Sequence, residues 1–462
     1  VTIFSLPYWL VVAFLFVLGA IAGSFLNVCI HRIPQQERLW PALKGLWSPP
    51  SRCPRCRTHI AWHDNVPVLG WLLLRGRCRT CKMWIPVRYP LVELLNALLF
   101  VALYCAEVPY GWPPALSSSS LFDPQLGPQV VPGLGPLSPL AFLHLRYFYH
   151  LVLVESLIVA SLIDIDRREI PDASTVPAMA VGILGGLLIG RVHILPAWTQ
   201  NSAMVFGFTR LIWPNWNIAA WPVVPAWFTV HPHLHGLLVS LAGLVVGGGV
   251  TWLVRIIGFR VLQREAMGFG DVVLMAVIGS FVGWQPALMA FFIAPACALL
   301  FLPIQYFIHR DRYIPYGPFL SLGTLIVLLA WGPLWTGVTI AGVGRFGGAR
   351  SVFALGILLI VFAAIMAVLF VGTLYLVQGV KRLFGWDAWP EEFVAEWTAA
   401  DQAQYIAGER VDRHVGRWRK CDWPGEASSR GSLFEDRWRR GQGCPARSVE
   451  WLQRSGSRRI PQ

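Results

Sequence analysis

The chain has 462 residues, of which 55% are hydrophobic and 14% charged, with a formal net charge of +13. That balance lies outside ordinary soluble composition. Apolar runs of the ~20 residues a spanning helix needs recur along it, so the sequence reads as an all-α polytopic membrane protein. The positive charge does not argue for nucleic acid as a partner. Its basic residues cluster in particular loops, as the positive-inside rule expects of a protein whose solvent is the lipid bilayer.

Nine spans are predicted, near 4–30, 89–108, 147–166, 175–191, 235–258, 271–284, 286–308, 318–340 and 352–380. The first run is too long for the apolar part of a signal peptide and has no basic segment before it, so it reads as a retained helix. The sixth and seventh spans are divided at Trp284–Pro286. The loop 31–88 carries Arg32, Arg38, Lys44, Arg52, Arg55, Arg57, Arg75, Arg77, Arg79, Lys82 and Arg88. The next, 109–146, holds only Arg146, and 192–234 holds only Arg210. Arg167 and Arg168 follow span three, Arg260 and Arg264 follow span five, and Arg310 and Arg312 follow span seven. Basic and nearly uncharged loops therefore alternate. This places the N-terminus outside and the basic loops and C-terminus in the cytoplasm. The chain divides into a first span (1–30), a basic loop (31–88), a helical core (89–345), an additional span (346–384) and a polar tail (385–462).

The first basic loop contains Cys53-Pro-Arg-Cys56 and Cys78-Arg-Thr-Cys81. Two CxxC pairs read as two halves of a four-thiolate zinc site, a small zinc-ribbon-like unit. Four protein ligands close the coordination shell, so the Zn would be structural. Disulfides are the competing reading, and a reducing cytoplasmic face argues against them. The neighbouring Arg52, Arg55, Arg77 and Arg79 are expected to favour thiolates.

Carboxylates within spans are costly and call for a function. Asp164 and Asp166 close span three, in Leu162-Ile163-Asp164-Ile165-Asp166-Arg167. Asp271 opens span six, in Met267-Gly268-Phe269-Gly270-Asp271. The topology puts both sites at one membrane depth. Two facing aspartates can hydrolyse a peptide bond, one ionised to deprotonate water and one protonated toward the carbonyl. Gly268 and Gly270 would allow close backbone approach beside Asp271. Helix capping is the plainer alternative for Asp271. Residues two apart on a helix point nearly opposite ways, so Asp164 and Asp166 cannot both face one site. Asp164 shares a face with Ala160 and Ser161, small residues suited to close packing. Asp166 shares its face with bulky Leu162, Ile163 and Val159, which suits the periphery.

Six segments together resemble the bacterial type IV prepilin peptidases, among the Gly-x-Gly-Asp intramembrane aspartic proteases. They are Gly23–Val28, the paired CxxC loop, Arg88–Leu95, Asp164–Asp172, Arg264–Val272 and Ile314–Phe319. The resemblance implies an inner-membrane endopeptidase that removes the basic leader of prepilins and pseudopilins on the cytoplasmic side. Asp164 and Asp271 would be catalytic, with Gly268, Gly270 and Asp166 supporting. Many such enzymes also N-methylate the new terminus with S-adenosylmethionine. The chain departs from the pattern at Val273, where a Lys is usual, and in its ninth span and tail. An ion- or proton-coupled transporter, or a member without activity that serves in pilus or secretion assembly, are the alternatives.

Overall fold

A computed structural model describes residues 7–36, 38–47, 51–53, 55–108, 129–131, 135–137, 139–197, 227–262, 267–309, 315–340, 344–347 and 349–353, with isolated helical positions between 365 and 380 and short pieces at 410–412 and 417–419. Eight principal helices occur among them: α1 Tyr8–Arg32, α2 Arg88–Glu107, α3 Pro139–Arg167, α4 Asp172–Ile189, α5 Pro232–Leu262, α6 Phe269–Val282, α7 Trp284–His309 and α8 Gly317–Leu329. Six of these are long and apolar enough to cross a membrane, and α6 and α8 are shorter apolar helices. Among the described residues, strands are confined to three short two-stranded hairpins.

Two compact units divide the chain. One gathers 1–162, 170–254 and 267–364, and the other 163–169, 255–266 and 365–462. Within the first, α1 packs along α2, and Asn96 Nδ2 donates to Gly19 O of α1 and to Glu155 Oε1 of α3, each at 2.9 Å. The centre of this unit is α6. From Asp271 to Val282 only Val273 escapes full burial. A helix apolar on all sides must be covered on all sides, and α4, α5, α7 and α8 cover this one. Glycine makes the closest crossing possible: a Cβ at Gly243 of α5 would strike the Gly279 carbonyl of α6, and one at Gly279 would strike the Gly243 carbonyl. Tyr149 of α3 ties the group together, donating to Gly182 O of α4 at 2.8 Å and to Ser280 O at 3.3 Å.

Four predicted boundaries move. The division between α6 and α7 falls at Gly283, in the left-handed region at φ 85°, rather than at Trp284–Pro286. Helix α3 begins at Pro139, so Arg146 is not a loop residue but a buried one. Its Nε lies 4.0 Å from Glu107 Oε2 at the end of α2, and His150 Nδ1 lies 2.6 Å from Glu107 Oε1. Burial beside a carboxylate replaces water for this arginine. Helix α5 runs on to Leu262, which brings Arg260 into its last turn. The span expected at 318–340 stops at Leu329, followed by a short helix Trp331–Thr336 and a hairpin of Gly337–Ile340 with Gly344–Gly347. Pro333 explains the stop, because its ring clashes with the carbonyl four residues back, at Leu329. Most of the ninth expected span and of the tail, Arg264, Arg310, Arg312, Ile314 and most of both external loops lie outside the described residues.

Candidate active site and metal centre

The basic loop folds as the same turn used twice. In the first, Arg57 N donates to Cys53 O at 2.9 Å and Cys53 N to Thr58 O at 3.0 Å. In the second, Lys82 N donates to Cys78 O at 3.1 Å and Cys78 N to Met83 O at 2.8 Å. Antiparallel bridges Arg52–His59 and Arg77–Trp84 close both turns, and Arg57 and Lys82 both sit at φ 56°. The second turn lies 25 positions after the first throughout, as Cys53 and Cys78 illustrate. This local repeat is visible in the sequence as Arg-Cys-x-x-Cys followed by Arg or Lys.

The two turns bring the four sulfurs within 4.8 Å of one another. Cys53 Sγ and Cys81 Sγ are 3.7 Å apart, and Cys56 Sγ and Cys78 Sγ 4.0 Å. Tetrahedral Zn–S bonds of 2.3 Å require sulfurs about 3.8 Å apart, so the four residues fit a zinc ion. A disulfide needs about 2.05 Å, and all four cysteines are free thiols, so the competing pairing is not made. The expected help from the arginines takes another form. Hydrogen bonds from Thr58, side chain and backbone, hold the Cys56 thiol down at about 6, and the backbone at Cys81 and Thr80 lowers Cys78, whereas Cys81, against a lowering backbone hydrogen bond at Met83, is pushed up to about 11 by desolvation and the neighbouring cysteine side chains. Arg79 is committed elsewhere: its Nε donates to Asp64 Oδ2 at 2.7 Å and its Nη2 to Asp64 Oδ1, which lowers the carboxyl of Asp64.

Asp164 stands in the last turn of α3, 7% exposed, while Asp166 is exposed. The two side chains part as residues two apart on a helix must. The face carrying Ser161 packs inward, and Ser161 Oγ donates to Ser321 Oγ of α8 at 2.8 Å. The expectation for the other face needs correction, because Ile163 and Val159 are buried too. Only Ile165 and Asp166 are exposed at that end of the helix. Arg168, at φ 60°, ends α3, its N–H donating to Asp164 O at 2.8 Å.

Asp271 is 7% exposed and occupies the third position of α6. Its Oδ2 accepts the Gly268 N–H at 3.1 Å, so the carboxylate satisfies one of the amides orphaned at the helix start. It is therefore not the N-cap residue itself, which is Gly268. Gly270 sits at a close approach, because a Cβ there would lie 3.0 Å from Ile170 Cβ, tighter than an ordinary van der Waals contact. Gly268 has an ordinary φ of −70°, and a Cβ there would only touch the Asp271 carboxylate, at 3.5 Å. The Ile170 contact brings the segment linking α3 to α4 against the start of α6. Tyr316, the N-cap of α8, is a further residue here. Burial, then the charge of Asp271, push its phenol up to about 12. The sequence marked Ile314–Phe319 without singling out that side chain; neighbourhood to Asp271 arises only when α8 packs on α6.

Comparison with known proteins covers most of this framework. The bacterial peptidase A24 N-terminal domain matches residues 17–106, which hold all four clustered cysteines, and the type IV leader peptidase family matches 151–303, which hold Asp164 and Asp271. A prepilin leader peptidase/N-methyltransferase of Aeromonas hydrophila is 31% identical over 346 residues, covering 70% of this chain and 92% of that one. One of Myxococcus xanthus is 33% identical over 287 residues, covering 62% and 61%. A type 4 prepilin-like proteins leader peptide-processing enzyme of Escherichia coli is 30% identical over 321 residues, covering 67% and 90%. No solved structure matches the chain. With that length of similarity laid over the cysteine cluster and both buried aspartates, the chain belongs to the type IV leader peptidase family.

Proposed function

We propose that the protein is a multi-pass inner-membrane aspartic endopeptidase that removes the basic leader of prepilins and pseudopilins at the cytoplasmic face. Asp164 and Asp271 are its catalytic pair. The observation that carries this reading is the burial of both carboxylates at the ends of apolar helices, each 7% exposed. A carboxylate in such a place is expensive unless it is used. The length of α6 adds support. Its 14 residues rise about 21 Å, short of a hydrocarbon core of about 30 Å, so its first turn can lie below the membrane surface.

In the reaction, the ionised aspartate takes a proton from water and the protonated one donates to the scissile carbonyl oxygen. Water oxygen bonds to the carbonyl carbon, the intermediate passes a proton to the leaving nitrogen, and the C–N bond breaks. One shared proton suffices, because close like charges and restricted hydration keep the pair from ionising twice. Gly270 leaves room beside the second aspartate, and Asp166, turned outward, supports rather than reacts. Cys53, Cys56, Cys78 and Cys81 hold a structural Zn²⁺ that fastens the two turns of the basic loop. The second activity, N-methylation of the new terminus with S-adenosylmethionine, rests on the names of the relatives, and no step of the cleavage runs through the methyl donor.

The test is incubation of membranes carrying the protein with a prepilin, scoring leader removal and methyl transfer separately. Leader removal by the wild-type chain and none by Asp271→Asn at equal expression is the expected result. Near-normal cleavage by that variant would remove Asp271 from the chemistry, and no cleavage by the wild type would leave an assembly role in its place.

A further inference from the structure

The basic loop exposes an apolar surface that neither the metal site nor the peptidase reading uses. Trp62 is 83% exposed and Leu73 79%, and Leu69 and Leu72 are exposed beside them. They lie along one short stretch, a 3-10 turn Trp62–Asn65 followed by a one-turn helix Leu69–Leu73. In water such a surface is a liability.

One anchor ties this stretch to the helices. Val68 N donates to Glu93 Oε2 at 2.7 Å. Glu93 lies five residues into α2, about 7.5 Å along the helix from its first residue. The turn between the two exposed groups is thus held beside the first turns of α2, not out on the tip of the loop. Val68 accepts φ 61° to make that bond, a conformation a β-branched residue rarely adopts. Further back, Arg32 at the end of α1 donates to Gly45 O at 3.1 Å and Leu46 O at 3.3 Å. This holds the short helix Leu39–Gly45, with exposed Trp40 in it and exposed Trp47 just after it, at the end of α1.

The chemistry around the stretch names the occupant. Arg75 and Arg77 follow it and are exposed, and Arg and Lys in the loop far outnumber its acids, Glu37 and Asp64, the latter already paired with Arg79. Tryptophan and leucine flanked by cations is the composition of segments that lie in a bilayer interface beside anionic headgroups. A basic leader peptide would be repelled by the same charges. We infer that Trp62–Leu73 inserts into the cytoplasmic leaflet, with Leu69, Leu72 and Leu73 among acyl chains and the neighbouring arginines on anionic phospholipid headgroups. The zinc-binding loop therefore lies on the membrane beside the peptidase core rather than standing free in the cytoplasm.

The test uses the full chain, zinc-loaded, in nanodiscs of phosphatidylethanolamine and phosphatidylglycerol. A photoreactive benzophenone amino acid is placed at Leu73, at Trp62, or at Phe292 of α7, which is 70% exposed on a spanning helix. After irradiation, intact-mass analysis should find phospholipid adducts at Leu73 and Phe292 in comparable yield, with a smaller yield at Trp62. Replacing Leu69 and Leu72 by Asp should cause loss of the Leu73 adduct while Phe292 still labels. Lipid adducts at Phe292 with none at Leu73 and Trp62 would overturn the inference, as would adducts of Leu73 to protein alone. Because the readout is a lipid mass and not cleavage, a failed peptidase assignment would leave it unchanged.

Discussion

The helical core around α6 and the cysteine loop are held together by opposite means. The core buries one helix on every side and lets helices cross at glycine, so its cohesion is packing. The loop leaves most of its side chains exposed and rests on four sulfurs, paired turns and a few anchors to α1 and α2. The difference implies that chemistry, metal and packing can be perturbed one at a time.

The largest expected effect lies at the proposed catalytic pair. Asp271→Asn and Asp164→Asn keep the shape of the side chain but cannot share a proton. Each should lower cleavage by at least about 10²–10⁴-fold, the usual worth of an acid–base group, with membrane insertion retained. Asp166→Asn is the internal control and should keep substantial cleavage in the same matched-expression assay. The reverse pattern would reassign the first catalytic aspartate.

The loop should fail differently. Cys78→Ser should lower bound zinc from about one ion per chain and unfold the loop, as metal content and limited proteolysis report, while the core remains folded. Activity would fall only as a consequence. Protons should act in the same direction. Cys56 is held at about 6, below its ordinary value, so its thiolate is present above that pH and lost as pH falls through it. Acidification should therefore strip zinc before it unfolds the helices, and full zinc occupancy of Cys78→Ser would exclude the four-thiolate site.

A smaller effect sharpens the contrast from the packing side. Gly279→Ala places a methyl against the Gly243 carbonyl, and overpacking of this kind costs about 1–3 kcal/mol. Thermal unfolding in detergent should shift down, with zinc content unchanged. An unaltered midpoint would show that α5 can move off α6 freely. The smallest expected change is at Tyr316→Phe, which removes only a hydroxyl near Asp271. Cleavage should drop modestly, with kcat more affected than KM.

Several features were legible before any fold was known. Apolar length marked the helices, because the thickness of the hydrocarbon core sets it. Cysteine spacing marked the four-sulfur cluster, because two CxxC turns suit a four-thiolate metal site. The spacing of Asp164 and Asp166 required that one of them turn away. These are consequences of local composition and of helix geometry, which the chain carries in every window.

What tertiary structure decided depends on residues far apart in sequence. The start of α3 moved back to Pro139 because Arg146 could be buried beside Glu107, a partner 39 positions earlier that no loop-charge rule considers. The burial of Ile163 and Val159 corrected the peripheral reading of that face, since helix packing and not bulk decides what meets lipid. Tyr316 gained its relation to Asp271 only through the packing of α8 on α6. The stretch before Leu73 is tied to α2 by a bond between Val68 and Glu93, residues 25 positions apart. Sequence by itself determined which groups this protein carries and on which elements, because propensity, hydrophobic length and ligand spacing are local. Only the fold decided which of those groups meet, because meeting is a property of packed surfaces.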